Sequence, residues 1–305
     1  MAAPVPPPPP PCPPSLPSLS PQEDDPIIID PPNIQSELYN IIERDHAVSL
    51  DTNSSEIITV SILHQSLRPA LQRNRPMCGL VALCMADQII HNDTICKDPM
   101  EVLEMSREAG FSRQGEILSS DHLLQLAKGV LNCTGSIVNV EEIRSVDIIR
   151  WLLARQALLI PYDCDKDHTP FQCYGHAAHW CVIIGANFTV SREIYKSFNL
   201  TSSFPLPPDH YYLDMVDESV RKFLRDERVK QDILQREDQF HVFARQGKSR
   251  HLCMWKLSRL LQSCSNLYEL GPHRDPKDYV LPAGNLKECL KSQTVLLHSK
   301  LCPSY

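Results

Sequence analysis

Arg75-Pro76-Met77-Cys78-Gly79-Leu80-Val81-Ala82-Leu83-Cys84-Met85-Ala86 is the stretch on which the fold turns. A proline stands two residues before a cysteine, and small and apolar residues then run without a charge until Asp87. The pattern predicts the first turn of a helix buried on nearly all sides, from Cys78 to about His91. Pro76 suits its start, because the first-turn amides have no intrahelical partner. Cys78 then lies at the positive end of the helix dipole, where a thiol loses its proton more readily. A cysteine in an apolar run is also an ordinary core residue, and both readings stand at this point.

The flanking chain sorts into regions. Residues 1–32 hold 14 of the 26 prolines, with an unbroken run from Pro6 to Pro11 and no Lys or Arg. Such a segment lacks the apolar residues to build a core, so it is expected to be a disordered polyproline II tail. It also suits an aromatic groove of the profilin, SH3 or WW kind. Residues 33–305 are expected to form one globular domain. Ile34, Leu38, Ile41 and Ile42 predict a first helix. Further helices are expected from Pro99 to near Gly110, from Asp121 to Leu131 and from Val146 to Ala154. Residues 57–63 read as a strand or a buried segment, and strands are expected at 136–140, 157–162, 180–185, 279–281 and 295–297. Residues 187–237 read as an insertion with one charged helix from about Asp217 to Arg236. Phe240–Ala244 and His251–Trp255 flank Gln246-Gly247-Lys248 as a hairpin. Helices first and strands later give an α+β fold.

The chain has 305 residues and a formal net charge of −7, which argues against a general nucleic-acid surface. No apolar run reaches membrane-spanning length. Twelve cysteines are scattered without zinc spacing, and the proline-rich start lacks the parts of a signal peptide. Reduced thiols and a cytoplasmic location are therefore expected. His176 and His179 could be read as two metal ligands, but no third ligand stands at useful spacing. No cofactor is expected.

His179 opens the apolar run Trp180–Ile184, at the lip of a strand. A histidine there can reach a thiol on a facing helix and accept its proton, although a hydrogen-bonded strand-end histidine is equally consistent. Gln72, six positions before Cys78, is placed to donate to an oxyanion if its side chain lies by the helix start; otherwise it is a surface glutamine.

Taken together, Gln72, Cys78-Gly79-Leu80-Val81-Ala82-Leu83 and His179 resemble the papain-like cysteine peptidases, on the branch of the double-glycine leader peptidases. More narrowly, the chain resembles the actin maturation protease family over about residues 70–270. The landmarks are Pro76–Leu83, Gln114-Gly115-Glu116, Leu158–Asp163, Gly175-His176-Ala177-Ala178-His179-Trp180 and Gln246-Gly247-Lys248-Ser249. The resemblance implies a helical part carrying Cys78 packed on an antiparallel sheet carrying His179. It also implies removal of the acetylated first residue, methionine or cysteine, from immature actin. Cys78 is then the nucleophile, His179 the base and Gln72 the oxyanion donor. Met77 departs from the family's common glutamine, and Lys256 follows Trp255 where an acid is frequent. The residue that orients His179 is left between Asn266 and Asn187.

Actin's acidic start calls for positive charge in the cleft. Arg73 or Arg75 is expected to meet it, with Arg68, Arg192 and Lys196 as further basic residues. Profilin binds both actin and polyproline, so the tail is expected to engage profilin–actin. Two other readings stand beside this one: a deconjugase for a ubiquitin-like modifier, and a proline-rich adaptor on a degenerate peptidase fold. The glycine spacing of a phosphate loop is absent before Gly247-Lys248-Ser249.

Overall fold

Two strands near the middle of the chain bury both faces, and everything else is layered on them. The computed structural model describes residues 24–48, 56–92, 96–282 and 285–300. The polyproline run Pro6–Pro11 lies outside the described residues. The helices are α1 (Ile34–Val48), α2 (Cys78–His91), α3 (Pro99–Glu108), α4 (Ser120–Val130), α5 (Ser145–Leu153), α6 (Arg192–Lys196), α7 (Glu218–Arg225), α8 (Glu227–Gln235), α9 (Leu257–Cys264) and α10 (Asn285–Cys289). The strands are β1 (Ile27–Ile28), β2 (Ile57–Leu63), β3 (Ala70–Leu71), β4 (Cys133–Asn139), β5 (Ala157–Cys164), β6 (Pro170–Phe171), β7 (Ala178–Ser191), β8 (His210–Tyr212), β9 (His241–Gln246), β10 (Ser249–Lys256) and β11 (Gln293–Ser299).

The main sheet runs β10-β9-β7-β5-β11-β4, each pair antiparallel. β2 adds to the far half of β7, and the short β8 pairs parallel with β2. β5 and β7 are apolar throughout because successive side chains point to opposite faces. Ala157, Leu159, Val182 and Ile184 pack with α2 and α4. Leu158, Ile160, Cys181 and Ile183 pack with α5, α7, α8 and α9. The sheet is thus covered by helices on both faces, an α+β arrangement.

Four expectations are corrected. Residues 279–281 form no strand. The single helix expected over 217–236 is two, because the Asp226 side chain accepts from the Arg228 N–H and caps a new helix there. β7 runs through Ser191, so residues 187–191 belong to the sheet, and what was read as an insertion begins at Arg192. The polar Asn187 fits inside a buried strand because it accepts a 2.8 Å bond from Ser61 Oγ. Finally, the proline-rich segment taken as residues 1–32 overlaps β1, which pairs with β3; its last residues join the folded part.

Candidate active site

α2 begins at Cys78, and residues Gly79 to Ile90 are all buried. Met77 offers no side-chain cap and no acid stands in the first turn, so the positive end of the helix is not neutralised locally. Cys78 itself is only half-buried. Burial pushes its thiol up, while the backbone N–H groups of Trp180 and Gly79 and the charges of Lys248 and Arg274 pull it down. The first of these contacts matters most for geometry: the Cys78 thiol meets the backbone of the residue that follows His179.

That approach depends on Gly79. A Cβ there would stand 3.1 Å from Trp180 Cδ1 and 3.2 Å from Ile117 Cβ, so even a methyl group would need these two side chains to give by a few tenths of an ångström. Trp180 is held in place by its own Nε1–H, which donates to Ile117 O at 2.9 Å. Gly115 adopts φ of 122°, and a Cβ there would fall 2.4 Å from Met77 Cγ. Met77, the departure from the family pattern, is thus a fully buried apolar wedge under this turn. Glu116 closes the turn, accepting from the N–H groups of Arg113, Gln114 and Val280.

His179 is 3% exposed and meets Tyr162 edge to face. Its Nε2 lies 3.0 Å from Gln246 Oε1. The same oxygen accepts the Lys248 backbone N–H at 2.7 Å. An N–H can only donate, so this atom is the amide oxygen and not the amide nitrogen. His179 Nε2 must therefore carry the hydrogen, which leaves Nδ1 with its lone pair. Burial and the Lys248 ammonium push the imidazole down to about 3, against a raising contribution from Gln246. One cation, Lys248, acts on both groups, favouring the Cys78 thiolate and disfavouring the His179 imidazolium.

Neither asparagine proposed from sequence orients His179. Asn266 Oδ1 accepts from the Tyr174 N–H, and Asn187 is taken by Ser61. Gln246 does so instead. The sequence marks Gln246 as part of a hairpin turn and of a family landmark without assigning it a role, yet it continues the alternation Val242, Ala244, Gln246 on β9 and sits opposite Cys181, two residues along from His179. That register was the available signal.

Gln72 is buried and joins the same place through the hairpin turn: its N–H donates to Gly247 O at 2.8 Å. Its Nε2 donates to Arg75 O at 2.9 Å, leaving a second amide hydrogen, and its Oε1 is buried with no partner. The segment leading to His179 is fixed by Asp163, a second residue whose role sequence reading missed. The fully buried carboxylate accepts from the N–H groups of Cys173, Gly175 and Ala177 at 2.8, 2.8 and 3.1 Å.

The basic residues separate. Arg75 is half-buried and paired with Asp25 at 2.8 Å, whereas Arg73 is exposed in the turn between β3 and α2. Arg68 pairs with Asp30. Arg192, bonded to Asp209, and Lys196 follow the opposite end of β7 from His179, roughly 40 Å along the strand, too far to line the same cleft. His176 Nε2 lies 3.1 Å from Glu269 Oε1, and no group of three or more His, Cys, Asp or Glu suited to a metal occurs among the described residues. No helix among them is long and apolar enough to cross a membrane.

A family model described as "Actin maturation protease-like, C-terminal domain" matches residues 68–187. The actin maturation protease of Danio rerio is 31% identical over 248 residues, covering 78% of this chain and 75% of the relative. The chain belongs to the actin maturation protease family. The Xenopus tropicalis relative is 30% identical over 244 residues, 78% of this chain and 74% of its own. The Homo sapiens relative is 27% identical over 249 residues, 77% and 65% respectively. The stretch matched by the family model contains Gln72, Cys78, Asp163 and His179 and ends before Gln246 and Lys248. In this family member, then, the group that fixes the histidine tautomer comes from a hairpin beyond that stretch.

Proposed function

We propose that this chain is a papain-like cysteine peptidase that removes the acetylated first residue, methionine or cysteine, from newly made actin. The observation that supports the reading is the Lys248 N–H on Gln246 Oε1, because it leaves an unprotonated Nδ1 on His179, whose neighbour Trp180 meets the Cys78 thiol through its backbone. The relatives' name supplies actin and proteolysis.

In this reading Cys78 Sγ attacks the carbonyl carbon of the first residue as its proton passes to His179 Nδ1. The oxyanion is met by the second Gln72 amide hydrogen and the uncapped first-turn amides of α2, a donor of this kind being worth about 10²–10³ in rate. The C–N bond breaks, and His179 returns the proton to the leaving amine, which becomes the new actin N-terminus. Water, deprotonated by His179, then releases the N-acetyl amino acid from the thioester and restores the thiol. Lys248 favours the thiolate throughout. The acidic residues after the scissile bond are assigned to Arg73 or Arg75. Profilin is proposed as a partner through Pro6–Pro11, and the cytoplasm as the compartment, since a nucleophilic thiol needs reducing conditions.

The test is intact-mass analysis of N-acetylated full-length actin, alone and with profilin. Wild type should remove one acetylated residue and Cys78→Ala none; no mass change with wild type in either setting rejects the reading.

A further inference from the structure

The loop that delivers Cys78 to α2 already holds a peptide, and the peptide is acidic. β1 pairs antiparallel with β3, Ile27 opposite Leu71 and Ile28 opposite Ala70, and the Ile29 N–H donates to Pro69 O at 2.9 Å. This ladder brings two consecutive carboxylates onto the loop. Asn74 Nδ2 donates to Asp24 Oδ1 at 2.7 Å, and Arg75 Nη2 meets Asp25 Oδ1 at 2.8 Å. The Arg75 and Asp25 side chains are 27% and 20% exposed, so the pair is partly withdrawn from water. Asp24, Asn74, Arg75, Pro76, Arg107 and Gln114 line a single notch, and Pro76 lies two residues from Cys78.

We propose that this notch is a subsite for consecutive carboxylates of an acidic peptide, and that the chain's own Asp24–Asp25 is its resident occupant. An acidic peptide then binds by displacing the strap. Only the claim that the displacing peptide is a substrate rests on the peptidase reading; the competition rests on the contacts. The strap suits an exchangeable role. Its ladder is two residues long, and an ion pair that keeps part of its contact with water contributes only modestly. Tethering nevertheless gives it an effective concentration in the millimolar range, enough for a weak occupant to compete. Arg75 and Asn74, rather than the exposed Arg73, become the residues that read the acidic stretch.

The test measures binding apart from cleavage. A fluorescent peptide beginning Asp-Asp-Asp is titrated by anisotropy into full-length Cys78→Ala protein, with and without Asp24→Asn and Asp25→Asn. Releasing the strap should tighten binding about fivefold and leave an Asn-Asn-Asn peptide unchanged. An unlabelled peptide of residues 21–30 should displace the acidic probe from the strap variant. Equal or weaker binding by the strap variant, no binding of the acidic probe to either protein, or no displacement overturns the proposal. An acidic peptide that binds as expected, while the wild-type thiol leaves N-acetylated actin intact, overturns the peptidase reading alone.

Discussion

His179 Nε2 donates to Gln246 Oε1 at 3.0 Å, joining two residues 67 positions apart on neighbouring strands. The bond sets which nitrogen of the ring can act as a base, and the Lys248 N–H sets the direction of the bond. Replacing Gln246 by Ala frees the ring to adopt the other tautomer. We expect kcat on an N-acetylated actin peptide to fall by about 10²-fold with KM little changed, since the contact acts through His179 and not on substrate. Gln246→Glu should instead raise the histidine pKa by placing a carboxylate against Nε2, moving the acidic limb of the pH–rate profile upward. A Gln246→Ala enzyme with wild-type kcat contradicts the assignment.

Lys248 lowers both Cys78 and His179, one by favouring the thiolate and the other by disfavouring the imidazolium. Lys248→Met should therefore raise both. Alkylation of Cys78 by iodoacetamide, followed against pH and mapped by mass spectrometry, should shift its inflection to higher pH in the variant. A shift to lower pH has the wrong sign for this account.

Two histidines are folded in their neutral form. His179 is held at about 3 and His64 at about 4, in both cases chiefly by burial. The unfolded chain takes up these protons near 6.5. Between that value and the folded values it binds more protons than the native state, so the native state is most favoured above about pH 6.5 and loses stability as pH falls. Thermal unfolding should show a lower Tm at pH 5 than at pH 7.5, and His64→Gln should flatten the slope. A Tm that rises on acidification contradicts the burial of neutral imidazole.

The hairpin that carries Gln246 is anchored by a buried charge pair. Arg245, 1% exposed, meets Glu37 of α1 at 2.6 Å, and Glu37 also accepts the Leu252 N–H at 3.1 Å. Glu37→Ala leaves a guanidinium buried without its counter-charge and should cost about 3–5 kcal/mol. Arg245→Met added to it should recover part of that loss, because the uncompensated charge is gone. Urea unfolding of the two variants decides it; equal destabilisation by both rejects the buried-charge argument.

The parts of this fold that read from sequence are those that one segment specifies alone. α2 and the apolar runs of β5 and β7 announce themselves by burial on all sides, and Cys78 opens α2 while His179 is the second residue of β7. What depends on register between distant strands does not read that way. Gln246 beside Gly247-Lys248 looks like any hairpin residue until β9 is laid on β7, and Asp163 looks like the start of a polar loop until three N–H groups converge on it. β8, three residues long, carries no periodic signal at all. The Arg75–Asp25 pair unites residues that composition assigned to different regions.

The most direct test is to catch the acyl-enzyme. Wild-type protein mixed with excess N-acetylated actin peptide and quenched in acid within one turnover is examined by intact and peptide mass spectrometry. The account predicts an N-acetylmethionyl thioester on Cys78 with release of the shortened peptide, and no adduct on Cys78→Ala. Cleavage without any thioester, or an adduct on another cysteine such as Cys164, would contradict it.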